Sequence, residues 1–461
     1  MEPRAAVRIV VALGVLVLAG CTAGSVGVRG EPGAAGVRDP YFPRLGNGGY
    51  DVQHYDLALD YDPATGRLDG TAEITARATQ DLSAFHLDLH GLTVESATVD
   101  GRRAAANRAG DELTVRPRRD IGDGSRFRTV IRYSGVPRTV TDSDDAHEGW
   151  LRSPAGALAV GEPSGSTAWF PGNHHPSDKA TYDIAVTVPK GVQAVSNGER
   201  AGERTAGGRT THSWHSAEPM ASYLAILAVG DLRVTTSRTP SGLPVVTAVD
   251  PKAAKASADL LGELPDYVDW CARHFGPYPF ASAGAIVVPS ERIGYALETQ
   301  TRPVFPLDQF DGTTLVHELA HQWFGNSVSP ESWRDIWLNE SFATYAEWMW
   351  REDFEDVPVE DSFEAAYEDD ENWAFPPAEP PGPDELFASP VYGRGAMVLH
   401  QVREAVGDDA FFRIVRGWAA EHRHGNASTD DFTAYAEERS GKDLTEVWDV
   451  WLYGDGRPEA P

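Results

Sequence analysis

Two histidines four residues apart with a glutamate between them, His317-Glu318-Leu319-Ala320-His321, and a second glutamate at Glu340 can together hold a divalent metal and move a proton beside it. On an α-helix, residues four apart are separated by about 40° around the axis and one turn along it, so both imidazoles reach the same point. Glu318 is rotated away from that point, where its carboxylate can hydrogen-bond an activated water without ligating the metal. Eighteen residues lie between His321 and Glu340, room for a helix end, a turn and a second helix that brings Glu340 back as third ligand. Two imidazoles and a carboxylate with an open position make a zinc set, one ion per chain, and the chemistry is metal-assisted hydrolysis.

The surrounding residues must supply that helix. Thr313 or Thr314 is the candidate N-cap and Gly325 the stop. Leu315, Val316, Leu319, Ala320, Trp323 and Phe324 half-bury the histidines. Buried imidazoles need a partner, which argues for a metal over a solvated polar stripe.

The rest of the chain divides into segments of different texture. Tyr55, Leu57, Leu59 and Tyr61 alternate with Asp56, Ala58 and Asp60, the period of a half-buried strand. Similar runs recur at 72–76, 85–89, 127–133 and 184–188, separated by turns such as Asp100-Gly101 and Asn197-Gly198. Residues 41–238 are therefore expected to form an antiparallel, sandwich-like β domain. From 239 to 461 helical patterning dominates, with one buried strand at 284–288. The proline-rich stretch 373–390 reads as a loop bordering a cleft. The fold class is α+β, with the metal in the second, mainly helical domain.

The amino terminus reads as an export signal: Arg4 and Arg8, an apolar run from Ile9 to Leu18, then Leu18-Ala19-Gly20-Cys21. That tetrapeptide resembles a bacterial lipobox, so residues 1–20 are expected to be removed and Cys21 to carry lipid on the extracellular face of the membrane. Residues 21–40 then form a flexible tether. Cys271 is the only other cysteine, a buried structural thiol with no intrachain partner. The formal charge of −29 becomes −30 without the signal, whose two arginines and one glutamate contribute +1. Such an excess excludes nucleic acid as a partner and leaves the lipid at Cys21 as the only membrane contact. A monomer is expected.

With the metal ligands and their spacing in hand, the chain from about Tyr50 onward resembles the zinc metallopeptidase family that includes aminopeptidase N and the leukotriene-hydrolase aminopeptidases. The resemblance implies an N-terminal β domain before a thermolysin-like catalytic domain. Tyr295-Ala296-Leu297-Glu298-Thr299 is similar to the family's Gly-Ala-Met-Glu-Asn, an edge strand along which substrate lies, and implies that Glu298 binds the substrate's free α-ammonium with Tyr295 and Ala296 alongside. Gly161-Glu162-Pro163 resembles the β-domain segment that supplies a second group to the amino terminus, here Glu162. Phe170-Pro171-Gly172-Asn173-His174-His175-Pro176 resembles Phe-Pro-Cys-x-Asp-x-Pro, with His174 and His175 expected in a turn at the domain contact rather than on a second metal. Tyr392, in Val391-Tyr392-Gly393-Arg394-Gly395, matches the family's Tyr-x-Lys-Gly and implies a phenol that stabilises the oxyanion.

The implied reaction is removal of amino-terminal residues from peptides with a free amino terminus. Glu318 is the general base, Tyr392 the oxyanion donor, and Glu298 with Glu162 the ammonium site. The chain ends at Trp451-Leu452-Tyr453, without the helical domain that follows in the family. That leaves an open-cleft endopeptidase as the alternative, and a non-catalytic peptide-binding lipoprotein as a third.

Overall fold

In a computed structural model that describes residues 29–141, 146–154 and 156–459, the alternating segments form the expected β domain. The strand Tyr50–Asp62 buries every second side chain from Tyr55 to Tyr61 and exposes the residues between, as a strand with one face on a core must. It lies in an eight-stranded sheet between Arg67–Ala78, antiparallel, and Lys179–Pro189, which runs parallel to it. The sheet is thus mixed rather than purely antiparallel. A five-stranded sheet, containing His147–Ser153 and Gly156–Val160, and a four-stranded sheet complete the domain.

The strand Arg233–Arg238 pairs with Pro244–Val249, which continues in parallel to Ala283–Val288 and Val304–Pro306. This four-stranded sheet belongs to the second domain. A hairpin thus joins strands on either side of the change in texture at Pro240.

The histidine helix spans Gly312–Ala320 and packs along the longer helix Trp337–Glu355. Its cap is Asp311, whose carboxylate accepts from the Thr314 N–H at 2.9 Å, not Thr313 or Thr314. Its α-helical part stops at Ala320, short of Gly325. His321 keeps helical dihedrals, φ −55° and ψ −24°, so the one-turn relation to His317 survives. Cys271 is free and buried on the helix Ala258–Phe275, with its thiol pushed up by burial. Among the described residues no helix is long and apolar enough to cross a membrane. Cys21 and the expected export signal lie outside the described residues.

The expected tether is in part structured. Glu31–Pro32 pairs alongside Leu82–Asp88, and Asp39 is buried at 4 % exposure. One Asp39 oxygen accepts from the Tyr41 and Phe42 N–H groups, each at 2.9 Å. The other accepts from Ser332 Oγ at 2.8 Å and the Trp333 N–H at 2.9 Å, with His175 Nε2 at 3.2 Å. One carboxylate thus joins the amino-terminal arm, the β domain and the segment leading into the helix of Glu340. Burial raises its proton affinity, but the His175 bond and the surrounding donors outweigh this and hold the carboxyl well below the usual range. A depressed folded-state pKa contributes stability above the unfolded value, about 3.9, and loses it as pH falls through the folded value. Asp39→Ala is expected to cost about 3 kcal/mol in denaturant unfolding at pH 7 by stranding these donors, and the gap to wild type should narrow below about pH 4. A gap independent of pH would show that the carboxylate's charge is not what the donors need.

Candidate active site

The histidine helix and the helix of Glu340 place three donor groups together. Nε2 of His317 and of His321 lie 3.3 and 3.4 Å from the same oxygen, Glu340 Oε2. Each imidazole is aimed from behind. His317 Nδ1 meets Glu347 Oε1 at 2.6 Å, and His321 Nδ1 meets the Phe324 carbonyl at 3.0 Å. Donation from Nδ1 leaves both Nε2 atoms as lone-pair donors facing one point, the arrangement that metal-ligating histidines use. Glu347 stands seven residues, or two turns, beyond Glu340 on the same helix face.

The other expected residues line the same cavity of about 200 Å³: Glu318, Tyr392, Glu298, Glu162, Ala296 and Tyr295. Glu318, Glu298 and His321 bring donor atoms within 4.8 Å of one another. Glu162 arrives from the β domain on a loop pinned by buried Glu148, which accepts from the Ser164 and Gly165 N–H groups at 3.2 and 2.9 Å. Tyr392 sits in the turn Pro390–Arg394, its ring 6.1 Å from that of His317. Ser341 Oγ donates to the Val391 carbonyl at 2.8 Å and fixes that turn. A Cβ at Gly395 would fall 1.7 Å from Ser341 Oγ, so only glycine permits the approach. Arg394, by contrast, points away and donates to the Trp451 carbonyl at 2.9 Å.

The edge segment differs from the expected strand. It makes one bridge, Leu297 to Val304, and is otherwise irregular. Tyr295 sends its hydroxyl across to the His147 carbonyl at 3.1 Å, so it spans the two domains at the cavity edge. His174 and His175 use both ring nitrogens on Ser222, the Phe170 carbonyl, Ser177 and Asp39, so protein groups already occupy these nitrogens.

Four carboxylates share this cavity, and Glu162, Glu298, Glu318 and Glu340 are 7, 3, 5 and 3 % exposed. Burial, then mutual repulsion, pushes Glu162 well above the usual carboxylate range. Burial also raises Glu318 and Glu298, against the pull of the two histidines. Glu340 goes the other way: its burial is outweighed by His321 and His317, and it stays ionised. One oxygen each of Glu162, Glu298 and Glu318 is buried with no hydrogen-bond partner. Four desolvated carboxylates so placed can ionise together only beside cations. The donor set fits zinc at His317, His321 and Glu340, and it fits an ammonium between Glu298 and Glu162.

Phe387 and Tyr223 were not expected here, and Leu297 only as part of the edge segment. Phe387 and Leu297 line the cavity. Tyr223, from the β domain, donates to the Gly325 carbonyl at 3.3 Å, and after burial the charges of Glu298, Glu162 and Glu340 raise its phenol. Phe387 falls in the proline-rich loop expected to border a cleft, which was the only signal for it.

Comparison with known proteins agrees with this geometry. Residues 51–224 match the peptidase M1 N-terminal domain and residues 309–451 the peptidase family M1 domain. Aminopeptidase 2 of Candida albicans is 26 % identical over 88 % of this chain and 47 % of its own length. Glutamyl aminopeptidase of Bos taurus is 28 % identical over 64 % of this chain and 34 % of its own. The chain thus spans about half or less of these curated relatives. A crystal structure of an M1 zinc metallopeptidase from Deinococcus radiodurans superimposes with a TM-score of 0.86 at 29 % identity, covering 92 % of this chain and 98 % of that one. A mutant of that enzyme, bound to a Tyr-Ser-Ala substrate, gives the same score. With both domains matched in order and the residues expected to hold the metal, accept the proton and line the substrate in one cavity, the chain belongs to the peptidase M1 family of zinc metallopeptidases.

Proposed function

We propose that the protein is a zinc aminopeptidase that removes amino-terminal residues from peptides. The observation that carries this is the pair of buried, partly unpartnered carboxylates, Glu298 and Glu162, in one cavity with the metal ligands and Glu318. A peptide entering with its ammonium on that pair has its first carbonyl, not a later one, beside the metal ligands.

His317, His321 and Glu340 would hold the zinc, which would supply Lewis acidity to a water and to the scissile carbonyl. Glu318 takes the proton of the attacking water and passes it to the leaving amine. The Tyr392 phenol donates to the oxyanion, a preorganised contact worth on the order of 3 kcal/mol. Glu298 and Glu162 neutralise and orient the substrate ammonium. Leu297, Phe387 and the ring of Tyr295 wall the cavity and keep water from the ammonium contacts.

The test is to assay free and amino-terminally acetylated peptides side by side, with and without a chelator. Free peptides should lose one residue at a time, chelation should stop the reaction, and zinc should restore it at one equivalent per chain. An active preparation with no bound transition metal would overturn the metal reading. The apolar run from Ile9 to Leu18 and the Leu18-Ala19-Gly20-Cys21 that ends it support a lipid anchor at Cys21, with the enzyme on the outer face of a bacterial membrane. Cys21→Ser should release the protein to the medium or leave an unprocessed precursor; unchanged membrane fractionation would count against the anchor.

A further inference from the structure

The segment carrying Glu298 is a short irregular hairpin, closed within itself by the Thr299 hydroxyl and the Arg302 N–H on each other's carbonyls and otherwise held from outside. Its one backbone bridge joins Leu297 and Val304, and the turn between them passes through Thr301 at φ 68°. A β-branched residue adopts that left-handed conformation only where its surroundings enforce it. On the β-domain side the Gly198 N–H donates to Thr301 Oγ1 at 2.9 Å, and Asn197 Nδ2 donates to the Gln300 carbonyl at 2.8 Å. On the other side stands Gln322, the residue after His321, with 0 % exposure.

The Gln322 amide is used at three places. Its Oε1 accepts from the Thr301 N–H at 2.8 Å. Its Nε2 donates to the Glu298 carbonyl at 3.1 Å and to the Glu318 carbonyl at 3.3 Å. Asn326 Nδ2 seconds the contact to the Glu298 carbonyl at 2.6 Å. No apolar side chain can satisfy these buried backbone groups. Of the three partners, one is the residue expected to bind the ammonium, one is the residue expected to accept the proton, and one is the strained turn between them and the β domain.

We propose that Gln322 is a positioning residue that sets the separation between the ammonium-binding carboxylate of Glu298 and the metal helix, and so fixes cleavage one residue from the amino terminus. The inference rests on the aminopeptidase reading above. Gln322 touches neither substrate nor metal; it acts through the backbone of Glu298. Its loss lets the hairpin relax away from the helix while the metal ligands, held by Glu347 and the Phe324 carbonyl, stay in place.

The experiment uses the holoenzyme with Leu-p-nitroanilide and its N-acetyl analogue. Gln322→Met keeps length and removes all three hydrogen bonds; Gln322→Glu keeps the acceptor for Thr301 and loses both donations. With zinc content unchanged, Gln322→Met should raise KM for the free amine and lower kcat/KM about a hundredfold. The preference for free over acetylated substrate should narrow, and Gln322→Glu should fall between Gln322→Met and wild type. If Gln322→Met does not fold, Gln322→Glu alone decides by the same ratio. A variant with full zinc and the wild-type preference overturns the proposal, as does an activity loss that only tracks lost zinc or lost folded protein. A wild type that shows no preference for the free amine instead overturns the aminopeptidase reading on which this one rests.

Discussion

Glu318→Gln is expected to keep one zinc per chain and to lower kcat about a thousandfold or more, because general base catalysis is worth 10²- to 10⁴-fold. The two properties separate because different atoms carry them. The ligand imidazoles are oriented by Glu347 and by the Phe324 carbonyl, and Glu340 Oε2 lies against both Nε2 atoms; none of these contacts involves the Glu318 side chain. That side chain instead places an unpartnered oxygen in the cavity. The amide matches its shape but cannot accept and return a proton. Metal analysis and turnover measured on the same sample check this. Loss of zinc along with activity would make Glu318 a ligand or a structural support, and near-normal turnover would assign proton transfer elsewhere.

What the sequence made legible, and what it did not, follows from how far each contact reaches along the chain. His317, His321 and Glu318 could be placed from sequence because helical periodicity is local. Glu340 followed because its spacing allows one turn between two helices. Glu347 is equally local, two helical turns past Glu340 on the same face, where it meets His317 Nδ1. The ammonium site came only through resemblance, since nothing local marks Glu298 or Glu162 as buried. Their supports are long-range: Glu148 for the Glu162 loop, and Gln322 with a strained Thr301 for Glu298. Asp39 shows the limit most clearly. In a run of Gly, Ala and Val it read as tether, yet its partners Ser332 and Trp333 lie nearly three hundred positions away. The pairing of Arg233–Arg238 was hidden for a similar reason, because that strand resembles those before it and differs only in its partner, Pro244–Val249.

Glu298→Ala is expected to lower kcat/KM for free-amine substrates about a hundredfold, close to 3 kcal/mol for a charged hydrogen bond lost in a desolvated site. The carboxylate is 3 % exposed, so water cannot replace it without opening the cavity. Its backbone is clamped by Gln322 and Asn326, so truncating the side chain removes the contact without releasing the hairpin. Glu162, on the β domain, should retain part of the binding; the double variant should therefore lose more than either single one, and less than the sum if both hold the same ammonium. Acetylated peptides carry no charge to neutralise and should be poor substrates for wild type and variant alike. Steady-state kinetics on matched free and acetylated peptides decide the matter. If wild type cuts both equally well, or Glu298→Ala discriminates between them as wild type does, Glu298 does not read the amino terminus and the open-cleft endopeptidase takes the place of the aminopeptidase.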